Sequence, residues 1–153
     1  MPARDVVIIG AGAAGLMCAI EAGKRGRSVT LIEHAKAPAE KIRISGGGRC
    51  NFTNLHATPE NFLSNNRHFA KSALKRYTQW DFIDWINSHG IAWHEKTLGQ
   101  LLCDHSAKDI IAALRADLKQ AGGELRLSTA VNKVSRQGED YALTLSDGST
   151  LTC

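Results

Sequence analysis

The stretch Val6-Val7-Ile8-Ile9-Gly10-Ala11-Gly12-Ala13-Ala14-Gly15 decides the fold. Its four β-branched residues predict a strand buried on both faces, and residues 13–25 predict the helix that follows. Gly10 lets the chain turn sharply, Gly12 lets a pyrophosphate approach the backbone, and Gly15 lets helix and strand pack closely. The helix then points free N–H groups and the positive end of its dipole at the phosphates. Gly26 ends it, and Ser28-Val29-Thr30-Leu31-Ile32 predicts a second buried strand finishing on Glu33. A carboxylate at that place can accept hydrogen bonds from both ribose hydroxyls of an adenosine. A glycine-rich turn in a packed α/β core would explain the glycines alone. The ordered series of strand, glycines, helix, second strand and acid favours a dinucleotide. The pattern leaves NAD and FAD open and argues against NADP, whose 2′-phosphate Glu33 would repel.

The chain has 153 residues, 43% hydrophobic and 22% charged, enough for about one domain with a real core. It shows no apolar run of membrane-spanning length, and its N-terminus reads as a structural strand rather than a signal peptide. Cys18, Cys50, Cys103 and Cys153 lie far apart without a Cys-x-x-Cys pair. That spacing predicts reduced thiols in a cytoplasmic protein, not a disulfide framework or a zinc site. The net charge of +4 is mildly basic. Arg67, Lys71, Lys75 and Arg76 form a small cluster that reads as a solvated helix face, because no recognisable RNA or DNA module accompanies it.

After the polar connection 34–40 comes Lys41-Ile42-Arg43-Ile44-Ser45-Gly46-Gly47-Gly48-Arg49-Cys50-Asn51-Phe52-Thr53-Asn54. Consecutive glycines flanked by Ser45, Arg49 and Asn51 predict a backbone-lined loop rather than a helix or an inner strand. Such a loop could wrap a second part of the ligand, with the pyrophosphate on one side and a flavin ring on the other. Cys50 reads as a packing residue, since no resolving cysteine lies nearby in sequence. Arg49 could pair with an anion or buttress loop carbonyls.

Taken together, the glycine fingerprint, Glu33 and the 41–54 segment resemble bacterial FAD-dependent oxidoreductases of the aminoacetone oxidase-like or bile-acid-reductase-like kind. These sit within the wider group of two-dinucleotide-binding-domain flavoproteins, beside fumarate-reductase flavoproteins and the tRNA uridine-modifying flavoprotein. The resemblance implies FAD as cofactor, with Gly10, Gly12, Ala14 and Gly15 at the pyrophosphate and Glu33 at the adenosine ribose. It also implies Lys41, Ser45, Gly46, Gly47, Gly48 and Asn51 along the ribityl and flavin side, and Val131 at the adenine through its backbone. One departure is local: Ala39-Glu40 stand where such proteins often carry Gly before the basic residue.

Within 55–104 the sequence predicts a helical and hairpin insert. Residues 56–67 read as an exposed connection, and Phe69, Ala70, Ala73, Leu74 and Tyr77 as one helix face. Thr78 and Asp81 suggest a capping box opening a helix with the stripe Phe82, Trp85 and Ile86 that ends at Gly90. Trp80, Trp85 and Trp93 read as core. Residues 91–95 and 100–103 predict a hairpin about Leu98-Gly99. His94 reads as a surface residue, and His89, His94 and His105 show no metal-binding spacing. Ser106 and Asp109 open a further helix with Ile110, Ile111, Leu114 and Leu118 on one face, stopping before Gly122-Gly123. Residues 124–131 then predict a parallel strand, and 141–145 with 149–153 an antiparallel hairpin.

The fold expected is α/β: a Rossmann-like FAD-binding domain with a parallel sheet, a small helical insert and a C-terminal antiparallel hairpin, incomplete at the C-terminus. The parallel strand and substrate domain that should follow place residues 1–153 as the N-terminal portion of a longer flavoprotein, inactive alone. The function expected is an FAD-dependent oxidoreductase, NAD(P)H-linked, with hydride transfer through the flavin and an unknown small-molecule substrate. Neither membrane nor nucleic-acid partners are expected, and no catalytic residue is named. The alternatives are an NAD-dependent dehydrogenase domain and a flavin-binding protein of the tRNA-modification type.

Overall fold

The computed structural model describes residues 3–153. In chain order the elements are β1 (Val6–Ile9), α1 (Ala13–Lys24), β2 (Val29–Ile32), α2 (Glu40–Ile44), β3 (Asn51–Asn54), α3 (Lys71–Arg76), α4 (Gln79–Ser88), β4 (Trp93–Glu95), β5 (Gln100–Cys103), α5 (Ala107–Gln120), β6 (Glu124–Arg126), β7 (Val131–Gln137), β8 (Asp140–Leu145) and β9 (Thr150–Thr152). They group into two compact units, Met1–Lys41 with Ile111–Cys153, and Ile42–Ile110.

In the first unit β1, β2 and β6 form a parallel sheet in that order, with Val6 beside Val29 and Thr30 beside Glu124. β2 is the central strand, and all four of its residues are buried. Its one buried polar side chain, Thr30, is satisfied by donating to Glu124 at 3.0 Å. Glu124 also accepts from Arg126 at 2.8 Å and Arg4 at 2.7 Å, which ties β6 to the start of β1. The expected burial of β1 on both faces does not hold, since Ile9 is 59% exposed. Among the described residues β1 pairs with β2 alone, and its last residue lines a cavity.

The two longer helices stop in the same way. After α1 the Arg27 N–H reaches the Ala22 carbonyl and the Gly26 N–H the Gly23 carbonyl. After α5 the Gly123 N–H reaches Leu118 and the Gly122 N–H reaches Lys119. Each is a Schellman ending, which satisfies carbonyls that the last helical turn leaves bare.

The single strand expected at 124–131 is two strands. Ser128, at φ +51°, breaks the extended run; its N–H bonds to the Ala35 carbonyl and that of Thr129 to the Glu33 carbonyl. The chain thereby leaves the parallel register, and Val131 opens a separate sheet. That sheet is a three-stranded antiparallel meander, β7-β8-β9: β8 with β9 is the expected hairpin, and β7 pairs along the other side of β8. Leu143, Leu145 and Leu151 bury one face of it against Ile32, with Val7, Val131 and Cys153 around them. Each such side chain contributes about 1.5–3 kcal/mol on burial.

The second unit holds the antiparallel sheet β3-β5-β4. The expected hairpin is β4 with β5, turning through Leu98 and Gly99, both at positive φ. Helix α4 opens with the expected capping box, in which the Asp81 N–H donates to Thr78 Oγ1 and the Asp81 carboxylate accepts from the Thr78 N–H. It buries Ile83 and Ile86, while Trp85 and Trp93 are half-buried in an aromatic group with Phe52 and Phe82. Trp80 departs from the expectation, standing 55% exposed. So does the apolar face expected over 69–77, of which only Ala70 and Leu74 are half-buried.

A close approach holds β1 to α1. A Cβ added at Gly15 would run into the Gly10 carbonyl and lie 3.4 Å from the Leu31 side chain. Gly15→Val is expected to lower the unfolding free energy by about 1–3 kcal/mol in urea titrations. Unchanged stability would show that this contact is not tight.

Candidate functional site

The first unit carries the glycine fingerprint at the carboxyl ends of β1 and β2, where ligands of open α/β sheets bind. Gly10 turns at φ +98°, and its N–H donates to the Ile32 carbonyl at 2.7 Å. Gly12 caps α1 without a side-chain acceptor, and no acidic residue stands in the first turn. The opening N–H groups of α1 have no intrahelical partner, so this end is electropositive and open to an anion. A Cβ at Gly12 would meet nothing within 4 Å, which leaves space for a ligand against the backbone. Ala14 is exposed in that first turn, and Gly15 is packed beneath it.

Glu33 leaves the end of β2 and is turned back into this loop. One carboxylate oxygen accepts from the Ala11 N–H at 2.8 Å, the other from the Ala35 N–H at 2.9 Å. His34 Nδ1 lies 2.9 Å from the second oxygen. Burial opposes ionisation of Glu33, but the Ala35 and Ala11 N–H groups and His34 outweigh it and hold its carboxyl below the ordinary range. The oxygen bonded to Ala11 keeps a further lone pair, so the charged side chain can still accept a ribose hydroxyl.

Beside it lies a cavity of about 220 Å³ lined by Ile9, Gly10, Ile32, His34, Thr129, Ala130 and Val131. Of the residues named from sequence, Gly10 and Val131 meet in this cavity. Ala11, His34, Thr129 and Ala130 were not named. Ala11 acts through its backbone N–H, and Thr129-Ala130 arrive only because Ser128 bends the chain. Their side chains carried no signal of this placement. Lys41 is exposed on α2.

The second unit holds the other named residues. The 41–54 segment is not one loop: it is the short helix α2, a run with Gly46, Gly47 and Gly48 at positive φ, and strand β3. A Cβ at Gly46 would press on the Asn51 backbone N at 2.8 Å and the Leu102 side chain at 3.1 Å. At Gly47 it would meet nothing within 4 Å, so main chain is presented there. Ser45 Oγ donates to the Ile42 carbonyl at 3.1 Å, and the Cys50 N–H donates to the Ser45 carbonyl at 3.0 Å. Asn51 is exposed at the start of β3. The exposed Arg49 contributes its carbonyl, which accepts from the Cys103 N–H at 2.9 Å. Cys50 is buried at φ +55°, and burial raises its thiol pKa. Cys103 is pushed up to about 12, first by burial and then by Cys50 and nearby carboxylates. His94 is exposed, with Nδ1 2.7 Å from Asp104. No group of metal-ligating side chains occurs among the described residues.

The depressed carboxyl of Glu33 makes a pH prediction. Its contribution to stability is fully present above its ordinary value of 4.5 and is lost as pH falls through the lower folded value. Glu33→Gln should cost about 1–3 kcal/mol at pH 6, from the charge-assisted bonds lost, and the difference from wild type should shrink toward pH 3. Urea titrations across that range would refute the assignment if the difference stayed constant.

Residues 4–153 match the family described as HI0933-like protein Rossmann domain. The chain is 53% identical over 149 residues to the ribosomal RNA dihydrouridine synthase of Escherichia coli strain K12, covering 97% of this chain and 37% of that protein. It is 30% identical over 140 residues to the 3-dehydro-bile acid delta(4,6)-reductase of Clostridium scindens, covering 89% of this chain and 34% of that protein. The chain thus spans about a third of the length of these relatives. Glycine oxidase from Geobacillus kaustophilus shares the fold, with a TM-score of 0.60 at 18% identity over 100% of this chain and 54% of its own. The bile-acid branch of the expected resemblance is therefore present, joined by a more similar relative that bears an RNA-modification name. With its parallel sheet, glycine fingerprint and nearly full-length match, the chain belongs to the HI0933-like protein Rossmann domain family.

Proposed function

We propose that this chain is the FAD-binding portion of a flavin-dependent reductase that saturates a uridine in ribosomal RNA. The observation that carries the reading is 53% identity to a ribosomal RNA dihydrouridine synthase across 97% of the chain. The two named relatives agree in reaction type, since dihydrouridine formation and the delta(4,6) reduction each add hydrogen across a carbon–carbon double bond.

The residues present suit FAD. The open start of α1 and the backbone at Gly12 fit a pyrophosphate, and the ionised Glu33 fits the adenosine ribose. The cavity beside Gly10 and Val131 suits the adenine, and the exposed backbone at Gly47 suits the ribityl and flavin side. FAD held by these residues would supply hydride transfer, with NAD(P)H as the electron donor in this reading. The chain's own contribution is to orient the cofactor and neutralise its phosphates. A bile-acid-type enone reductase is the second reading, favoured by the Clostridium scindens relative.

Purified full-length protein should be yellow and release FAD on denaturation. Glu33→Arg should weaken FAD affinity about tenfold to a hundredfold, the equivalent of one or two charge-assisted hydrogen bonds. Cells lacking the gene should lose a dihydrouridine from ribosomal RNA, read by nucleoside mass spectrometry, and regain it with the wild-type gene. A colourless protein that takes up no FAD would overturn the cofactor. An unchanged dihydrouridine content would overturn the substrate.

A further inference from the structure

We propose that residues 59–80 of the second unit form an RNA-contacting surface that binds a single-stranded or opened segment through its phosphates and bases. The proposal rests on the RNA reading above and adds the place where the RNA is held. Between residues 61 and 80 the sequence carries Arg67, Lys71, Lys75 and Arg76 and no carboxylate, and the whole chain has a net charge of +4. Most of the excess positive charge therefore sits in this one stretch, against Glu60 as the one carboxylate within 59–80. None of the four cations lies within ion-pair distance of a carboxylate among the described residues. The two flanking acids are engaged locally. Asp81 is taken by the Thr78 backbone and hydroxyl, and Glu60 is held ionised by backbone and Thr58 hydrogen bonds, with weaker help from Lys71 and Arg67.

The same stretch holds large apolar side chains in the open. Phe62 is 50% exposed, Leu63 94%, Phe69 81% and Trp80 55%. Phe62 and Leu63 line a cavity of about 380 Å³ that Glu60, Arg67 and Lys71 share. Lys71 and Lys75 stand one turn apart on α3, separated by about 6 Å of rise, so they present two charges along one line. Cations tracking a backbone, with unstacked aromatic faces between them, are the combination that binds single-stranded nucleic acid. A polyanion is the complementary occupant because four cations, with Glu60 acting weakly on two of them, would have to be desolvated against any neutral partner. An enzyme that reduces a base also needs that base out of its stack, and exposed aromatic rings can replace the lost stacking.

The test uses the full-length flavin-loaded protein and a fluorescein-labelled, uridine-containing single-stranded RNA of twenty nucleotides, with anisotropy followed from 50 to 300 mM KCl. Replacing Arg67, Lys71, Lys75 and Arg76 together by Gln should weaken binding at least tenfold at 50 mM. It should also reduce the slope of log affinity against log salt by about two to three, at roughly 0.7 per phosphate contact. Phe69→Ala should weaken binding about fivefold or more and leave the slope alone. Flavin content and spectrum should match wild type in both. If the fourfold variant loses flavin, the pair Lys71→Gln and Lys75→Gln is read instead, with a slope change of about 1.4. Wild-type RNA binding that survives these changes would overturn the surface and leave the proposed function standing. A protein that binds no RNA and restores no dihydrouridine would overturn both. A variant that changes the sedimentation mass while RNA binding is kept would assign the surface to a protein contact and overturn the proposal.

Discussion

The hydrogen bond from the Ala11 N–H to the Glu33 carboxylate joins the turn after β1 to the end of β2. Much of the first unit depends on that junction. The Gly10 N–H is held by the Ile32 carbonyl one step earlier, and the Ala39 N–H by the Ala11 carbonyl. The glycine loop is therefore clamped from two later segments before any ligand arrives. A ligand that needs backbone N–H groups at fixed positions meets a preformed cradle, which lowers the ordering cost of binding.

The parts of this design legible in the sequence are those where one residue type has one physical use. β1, α1, β2 and Glu33 fall in the predicted order because glycine alone fits the close approach at Gly15 and a run such as Val29–Ile32 suits only a buried strand. The capping box at Thr78 and Asp81 was equally legible. The stretch from Asn132 to Gln137 was not. It is largely exposed and mostly polar, and it is a strand because it pairs with β8, which is long-range information. Strand β3 was hidden in the same way, since Asn51–Asn54 pairs with β5, Gln100–Cys103, far along the sequence.

The site shows the same division. Glycines and the acid announce themselves, whereas Ala11, Thr129 and Ala130 act through backbone or position and have no compositional mark. Exposure was also illegible: the helical spacing of Phe69, Ala73 and Tyr77 matched a core-facing stripe, yet Phe69 is 81% exposed. Periodicity reports which residues share a face, and burial depends on whether another element covers that face. Ala39 is a further case. It is buried at φ +63°, a left-handed turn made without the glycine that makes such a turn easy.

The buried thiols set the chemical temper of the glycine run. A thiol held to about 12 remains protonated throughout the physiological range, and Cys50 is displaced the same way. Peroxide and disulfide reagents attack thiolates, so burial and the raised pKa together lower the reactivity of Cys50 after the run and of Cys103 on β5.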